Sequence, residues 1–124
     1  MDASGETTVA LGDKLAIGRA ALAMLISETP GLALLAQAAT VEELRAVIRD
    51  TGPDVVVVDD RLLQYEALTA DDFGARLVVI GVDDDPAYLA RARRIGAAAW
   101  VPKDCADALL PAVLRPIAQV MRAA

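Results

Sequence analysis

The chain has 124 residues, the length of one domain, with 12 Lys and Arg against 18 Asp and Glu for a net charge of −6. Ten of the basic residues are arginines and two are lysines, Lys14 and Lys103; there is no histidine, and Cys105 is the one cysteine. These counts exclude a histidine general base, a His/Cys zinc site and a disulfide framework. At 3% aromatics the chain has no base-stacking platform, and its acidic balance does not suit a phosphate backbone.

The apolar fraction, 56%, is enough for a full core, and 26 alanines favour helices packed closely on a sheet. No apolar run of about 18 residues suggests a transmembrane helix, and Met1–Glu6 has neither the basic start nor the apolar centre of a signal peptide. With one cysteine, the chain reads as cytoplasmic. It reads as a single domain over residues 1–124, with a flexible terminus at 1–6.

In chain order, Thr8–Leu11 reads as a strand that ends at Gly12-Asp13. Residues 15–28 form a helix whose inner face is read as Ile17, Ala21, Met24 and Leu25. After the Pro30-Gly31 break comes a second strand, Leu32–Ala36. Thr40-Val41-Glu42-Glu43 is a capping box. It opens a helix with Val41, Leu44, Val47 and Ile48 on one stripe, stopped by Gly52-Pro53. Val55–Val58, four β-branched residues without alternation, predicts a strand buried on both faces, as in a parallel sheet.

Residues 61–74 fit either a short helix or an irregular crossover. Leu77–Ile80 is the fourth strand. Asp85-Pro86 then caps a helix with proline in its first turn, running to Ile95-Gly96. Ala98–Val101 is the fifth strand, and Asp104 is read as the cap of a last helix with Asp107 in its first turn. Pro111 and Pro116 predict kinks in that helix. Five β–α units with right-handed crossovers give an α/β fold: a doubly wound, five-stranded parallel sheet of flavodoxin-like order 2-1-3-4-5, with a shortened third crossover.

This order gathers charge on one rim. Asp13, Asp59-Asp60, Asp83-Asp84-Asp85 and Lys103-Asp104 all follow strands, and sites in such folds lie beyond the carboxyl ends of the strands. Both lysines fall there. Asp85 and Asp104 read as helix caps. Asp13 and Asp59 end neighbouring buried strands, where two carboxylates require a cation between them.

The segments Leu11-Gly12-Asp13 through Arg19-Ala20-Ala21-Leu22, Pro53-Asp54 through Val58-Asp59, and Gly96 through Trp100-Val101-Pro102-Lys103-Asp104 resemble the receiver domains of bacterial two-component response regulators. The likeness to the CheY-like superfamily is strongest for the NarL/FixJ type and covers nearly the whole chain. The resemblance implies a phosphoacceptor at Asp59, an acid of a Mg²⁺-binding pair at Asp13, a phosphate-contacting lysine at Lys103 and a switch aromatic at Trp100.

Two positions depart from the family pattern: Lys14 is read at the second acid of the pair, and Gly81 stands where a Ser or Thr would contact the phosphate. The loop after Asp59, Asp60–Gln64, also lacks the usual Pro and Gly. The expectation is an atypical, degenerate receiver. In it Lys14 is a built-in cation that pairs with Asp13 and Asp59 in place of Mg²⁺, so no cofactor is expected and a metal at Asp13 and Asp59 is disfavoured. Trp100 is expected to fill the space left by Gly81, fixed in one rotamer.

Such a domain is expected to be the regulatory part of a longer transcription regulator, with a stand-alone domain as the alternative. It acts by contact with a second copy or another protein, and reaches DNA only through an output module not among these residues; it has no enzymatic turnover and no membrane contact. The apolar last helix (Leu109, Leu110, Val113, Leu114, Ile117, Val120, Met121) is the expected dimer surface, and Arg91, Arg93 and Arg94 form a basic cluster. The alternative is an ordinary receiver phosphorylated on Asp59 by a histidine kinase. A haloacid-dehalogenase-like phosphatase would need an Asp-x-Asp pattern that Asp59-Asp60-Arg61 lacks, and a flavodoxin-like cofactor site would need a phosphate cradle that Gly12-Asp13-Lys14 lacks.

Overall fold

The computed structural model describes residues 6–63, 70–82 and 85–123, with the side chains of 70, 72 and 115–123 left aside. Its strands are β1 (Thr7–Gly12), β2 (Leu32–Ala38), β3 (Val55–Asp59), β4 (Arg76–Gly81) and β5 (Ala99–Pro102). They form one parallel sheet of order β2-β1-β3-β4-β5. The helices are α1 (Ala16–Ser27), α2 (Val41–Thr51), α3 (Asp60–Leu63), α4 (Ala70–Phe73), α5 (Pro86–Arg94) and α6 (Ala106–Ala123), the last preceded by a 3₁₀ turn at Lys103–Cys105.

The valine run lies at the centre because its side chains serve both faces. Val55 and Val57 point into the core under α1 and α6 with Val9, Leu11, Ile26, Ile80, Leu110 and Leu114. Val56 and Val58 point into the second core with Leu44, Leu62, Phe73, Tyr88 and Ala92. All of β3 is buried, Asp59 included. Alternate β-branched side chains satisfy a period of two on both faces, which is why the run shows no polar alternation. At the opposite rim the Thr8 N–H donates to Asp54 Oδ2 (3.0 Å) and the Asp54 N–H to Thr8 Oγ1 (2.9 Å), pinning the entry of β3 to the start of β1.

Helix α2 starts and stops as its residues dictate. The Glu43 N–H donates to Thr40 Oγ1 (3.0 Å), while Glu43 Oε1 reaches back to the Ala39 N–H (2.8 Å). Gly52 closes the helix at φ 57°, a left-handed conformation that only glycine adopts without strain. Leu44 is buried, with Val41, Val47 and Ile48 packed beside it. Asp85 caps α5 through the Ala87 N–H (2.9 Å). Among the described residues the third crossover contains two single-turn helices, α3 and α4; Tyr65 and Leu68 between them lie outside the described residues.

Two expectations are corrected. The inner face of α1 is Leu22 and Ile26, with the expected Leu25 half-buried against the same core, whereas Ile17 is 87% and Met24 62% exposed. The helix is apolar nearly all round, so periodicity alone does not say which side turns inward. Asp104 does not cap α6: it is exposed within the 3₁₀ turn, whose preceding residue makes no side-chain cap bond. α6 runs from Ala106 to Ala123 across Pro111 and Pro116. In that helix Leu110 and Leu114 are fully buried in the core and Leu109 is exposed, while Ile117, Val120 and Met121 have undescribed side chains.

Thr40→Ala removes the α2 cap and leaves the Glu43 N–H without its acceptor. The expected loss is about 1 kcal/mol, roughly 3–5 °C in thermal midpoint, read by circular dichroism.

Candidate functional site

The parallel register places Asp13, Asp59, Gly81 and Lys103 at the carboxyl end of the sheet. Gly12 pairs with Val58, Asp59 with Ile80, and Gly81 with Pro102, so the residues that leave the strands emerge together. A cleft of about 340 Å³ opens there, lined by Asp59, Asp60, Arg61, Gly81, Val82, Asp85, Arg91 and Lys103. A larger, more open concavity of about 630 Å³ lies at the opposite rim, near Pro53, Asp54 and Arg76. It holds no converging set of charges, and the chemistry lies in the smaller cleft.

Asp59 is 1% exposed and fully engaged. Lys103 Nζ donates to its Oδ2 at 2.6 Å, the Arg61 N–H donates to Oδ1 at 2.8 Å, and Arg61 Nε stands 3.5 Å from the same oxygen. Sequence reasoning did not single out Arg61. It reaches Asp59 because α3 starts immediately after the strand and turns the second residue back over the carboxylate.

Asp13, also 1% exposed, is only half satisfied. Its Oδ1 accepts from the Leu15 N–H at 2.9 Å, whereas Oδ2 is buried with no hydrogen-bond partner. A Cβ on Gly18 of α1 would stand 2.8 Å from that oxygen, so the glycine makes room for the carboxylate. Burial raises the Asp13 pKa and the nearby negative charge of Asp59 adds to the rise, while the Leu15 N–H, Lys103 and Arg61 oppose it. Arg19 holds the same turn by donating to the Asp13 carbonyl at 2.7 Å.

Lys14 is not part of this cluster. Its side chain is exposed, and among the described residues no ion pair joins it to Asp13 or Asp59. The carboxylate of residue 13 turns inward at the end of β1, and the next side chain turns to solvent. The cation expected from Lys14 is supplied by Lys103, with Arg61 beside it.

Nor does the arrangement fit a resident Mg²⁺. The described residues contain no cluster of three or more potential ligands, and neither neighbour of Asp13, Gly12 or Lys14, adds a second acid. Asp59 has both oxygens engaged, and the one free oxygen, Oδ2 of Asp13, is sealed from solvent. A hard cation that keeps several waters needs open oxygen ligands.

Gly81 leaves space, but Tyr88 fills it, not Trp100. A Cβ on Gly81 would stand 2.4 Å from Tyr88 Cδ1 and 2.6 Å from Cε1. Tyr88 comes from α5, is fully buried, and places its hydroxyl 3.5 Å from the Val79 carbonyl. Trp100 pairs with Val79, one pleat short of Gly81, and is 41% exposed on the edge strand. A glycine inside a strand signals close approach of another group, the clue in the sequence that pointed past Trp100.

The basic cluster divides as well. Arg91 turns inward from α5 and grips Asp60 of α3 with both ends of its guanidinium, Nε to Oδ1 at 2.8 Å and Nη2 to Oδ2. Arg93 and Arg94 are exposed. Asp83 and Asp84 lie outside the described residues.

No family model matches the chain, and no curated protein matches it in sequence. Solved structures do match in fold. The signal receiver domain of a NarL response regulator from Mycobacterium tuberculosis superposes with TM-score 0.76 at 20% identity, covering 92% of this chain and 97% of that one. A LuxR-family two-component response regulator from Aurantimonas sp. SI85-9A1 gives 0.72 at 25% identity over 92% and 86%. The response regulator domain of Thermotoga maritima CheB gives 0.68 at 19% identity over 94% and 96%.

Two outcomes follow from this geometry. A carboxylate whose folded pKa is raised binds more protons folded than unfolded, so stability falls as pH climbs from the unfolded value near 3.8 through the folded one. Asp13→Asn keeps the acceptor for Leu15 without the buried charge. Its thermal midpoint should rise relative to the parent as pH goes from about 4 to 7, with little difference below the unfolded pKa. Gly81→Thr drives a side chain into Tyr88 and should cost about 1–3 kcal/mol in urea unfolding. The same substitution in a Tyr88→Ala background should cost less, because the two sites share one space.

Proposed function

We propose that this chain, which has the CheY-like receiver fold, is the signal-transduction receiver domain of a response regulator that controls transcription, and that it works by protein contact rather than by phosphorylation of Asp59. The fold likeness supports the receiver reading. What carries the departure from phosphorylation is position 81. A receiver of the ordinary kind has a hydroxyl residue after β4 that follows the phosphoryl group. Here the position is glycine, and Tyr88 occupies the volume that any side chain would need.

The surroundings of Asp59 support the same reading. An attacking carboxylate must be free to meet a phosphoryl donor, and the transferred group's charge must be neutralised, a role that Mg²⁺ performs in such transfers. In this chain Lys103 and Arg61 hold Asp59, and Asp13 offers one enclosed oxygen. Charge balance is internal to the protein. No turnover is proposed. A net charge of −6 supports the reading that this domain does not itself hold DNA, in keeping with a cytoplasmic regulator. None of the described helices is long and apolar enough to cross a membrane.

A second reading keeps Asp59 as a phosphoacceptor served by a histidine kinase, because Asp59 and Lys103 meet at the positions where the resemblance puts them. A related neighbour, CheY6 of R. sphaeroides, is described in complex with the P1 domain of CheA3 (24% identity, 80% of this chain, TM-score 0.63). Acetyl phosphate with Mg²⁺ separates the two readings. The expected result is no phosphoryl mass increase on Asp59 and no saturable change in amide NMR shifts at low millimolar Mg²⁺. Stable labelling of Asp59 with a changed oligomeric state would restore the ordinary receiver.

A further inference from the structure

The open concavity of about 630 Å³ lies at the amino ends of β3, β4 and β5, and one of about 400 Å³ adjoins it beside α2; Gly74 lines both. Together they make one groove across the rim opposite Asp59. Gly74, Ala75, Gly96 and Ala98 give it a floor of small residues. A Cβ on Gly74 would meet nothing within 4 Å, so the floor is open to a second chain.

The exposed arginines gather along this groove. Of the six with described side chains, Arg61 stands at the other rim, and the rest are Arg45, Arg49, Arg76, Arg93 and Arg94. Arg45 and Arg49 line the smaller concavity and Arg76 the larger, while Arg93 and Arg94 end α5 just before Gly96. Among the described residues no ion pair holds Arg45, Arg76, Arg93 or Arg94, and Arg49 lies 3.8 Å from Asp50. The acids beside them are Asp50, Asp54 and Asp71, and Asp54 already accepts the Thr8 N–H. The described groove is therefore positive on a chain whose net charge is −6. Bases suit the carboxyl end of a helix, which accounts for Arg49, Arg93 and Arg94 in the last turns of α2 and α5. That reason does not extend to Arg45, a turn earlier in α2, or to Arg76 at the start of β4.

We infer that this groove is a docking surface for an extended acidic segment of another protein, whose carboxylates are held by Arg45, Arg49 and Arg76. This rests on the reading that the domain acts by protein contact, and it names the kind of partner. The arginines stand apart along the groove rather than converging, which suits a row of carboxylates and not one small anion. Each guanidinium fork can take a carboxylate through two parallel hydrogen bonds. The groove crosses the ends of three strands and the helix layer beside them, about 20 Å, the length of about six extended residues. A nucleic acid fits less well. Phe73, the aromatic that lines the groove, is 3% exposed and presents no stacking face, and the net charge of the chain repels a long polyanion.

Fluorescence anisotropy of a fluorescein-labelled hexaglutamate reads this directly. At about 20 mM salt, where charges act over about 20 Å, saturable binding is expected, weakening at least about tenfold at about 150 mM. Arg76→Glu and Arg45→Glu should each weaken it at least about fivefold, with unchanged circular dichroism spectra. Lys14→Glu, the same charge change at the opposite rim, should leave it within about twofold of the parent. Amide NMR shifts should move at Gly74, Arg76 and Gly96. An absence of saturable binding up to about 1 mM protein overturns the inference. So does equal weakening by Lys14→Glu and Arg76→Glu, which would make the attraction diffuse. Tighter binding of a thymidine hexanucleotide than of hexaglutamate also overturns it, in favour of a nucleic-acid surface. The acetyl phosphate experiment fails or succeeds separately. Labelling of Asp59 would sink the phosphorylation-independent reading, while the groove would still be decided by the arginine reversals.

Discussion

The rim of this molecule depends on the ion pair between Lys103 and Asp59. The valine run forces β3 through the centre of the sheet, buried on both faces, so its terminal aspartate arrives buried as well. Asp13 arrives beside it from the neighbouring strand. Two desolvated carboxylates at one end of a sheet repel each other and lose hydration together. Lys103, at the end of β5, reaches the Asp59 oxygen from the exit of the second strand over, and Arg61 closes the other oxygen. With Asp59 compensated, Asp13 is left with the residual cost, visible as its orphaned Oδ2 and raised pKa.

The elements around the cleft are joined in the same manner. Arg91 ties α5 to α3 through Asp60, a pair shielded from solvent on both sides, so breaking it would leave an uncompensated charge. Tyr88, one turn before Arg91, wedges against Gly81. A switch requires an element with two arrangements whose balance a ligand can tip. At this cleft the movable parts are a glycine with no side chain to move, a tyrosine fully enclosed, and an aromatic on β5 that lies outside the pocket. This packing is what supports the proposal that control passes through contact surfaces rather than through this cleft.

The fold was legible from the sequence because its signals are local and redundant. The valine run, the Thr40–Glu43 box, Gly52 and Asp85-Pro86 each determine one element through backbone chemistry, and together they leave little freedom in the order of strands. The gathering of Asp13, Asp59 and Lys103 followed from that order. What escaped is what depends on direction rather than position. Lys14 and Asp13 are adjacent, and only the turn of the chain decides which one enters the pocket. Trp100 and Tyr88 are both aromatics near Gly81, and the register of β5 decides between them. Asp60 with Arg91 joins residues 31 apart, with nothing local to announce the pairing. On α1, a helix apolar nearly all round, composition hid which face turns inward.

The same dependence on direction divides the chain's scarce lysines. Arginine serves here where a planar fork is wanted, as at Asp60. A lysine is a compact point charge, suited to meet one carboxylate oxygen. Lys103 does so within the protein. Lys14, turned to solvent, has no such partner among the described residues.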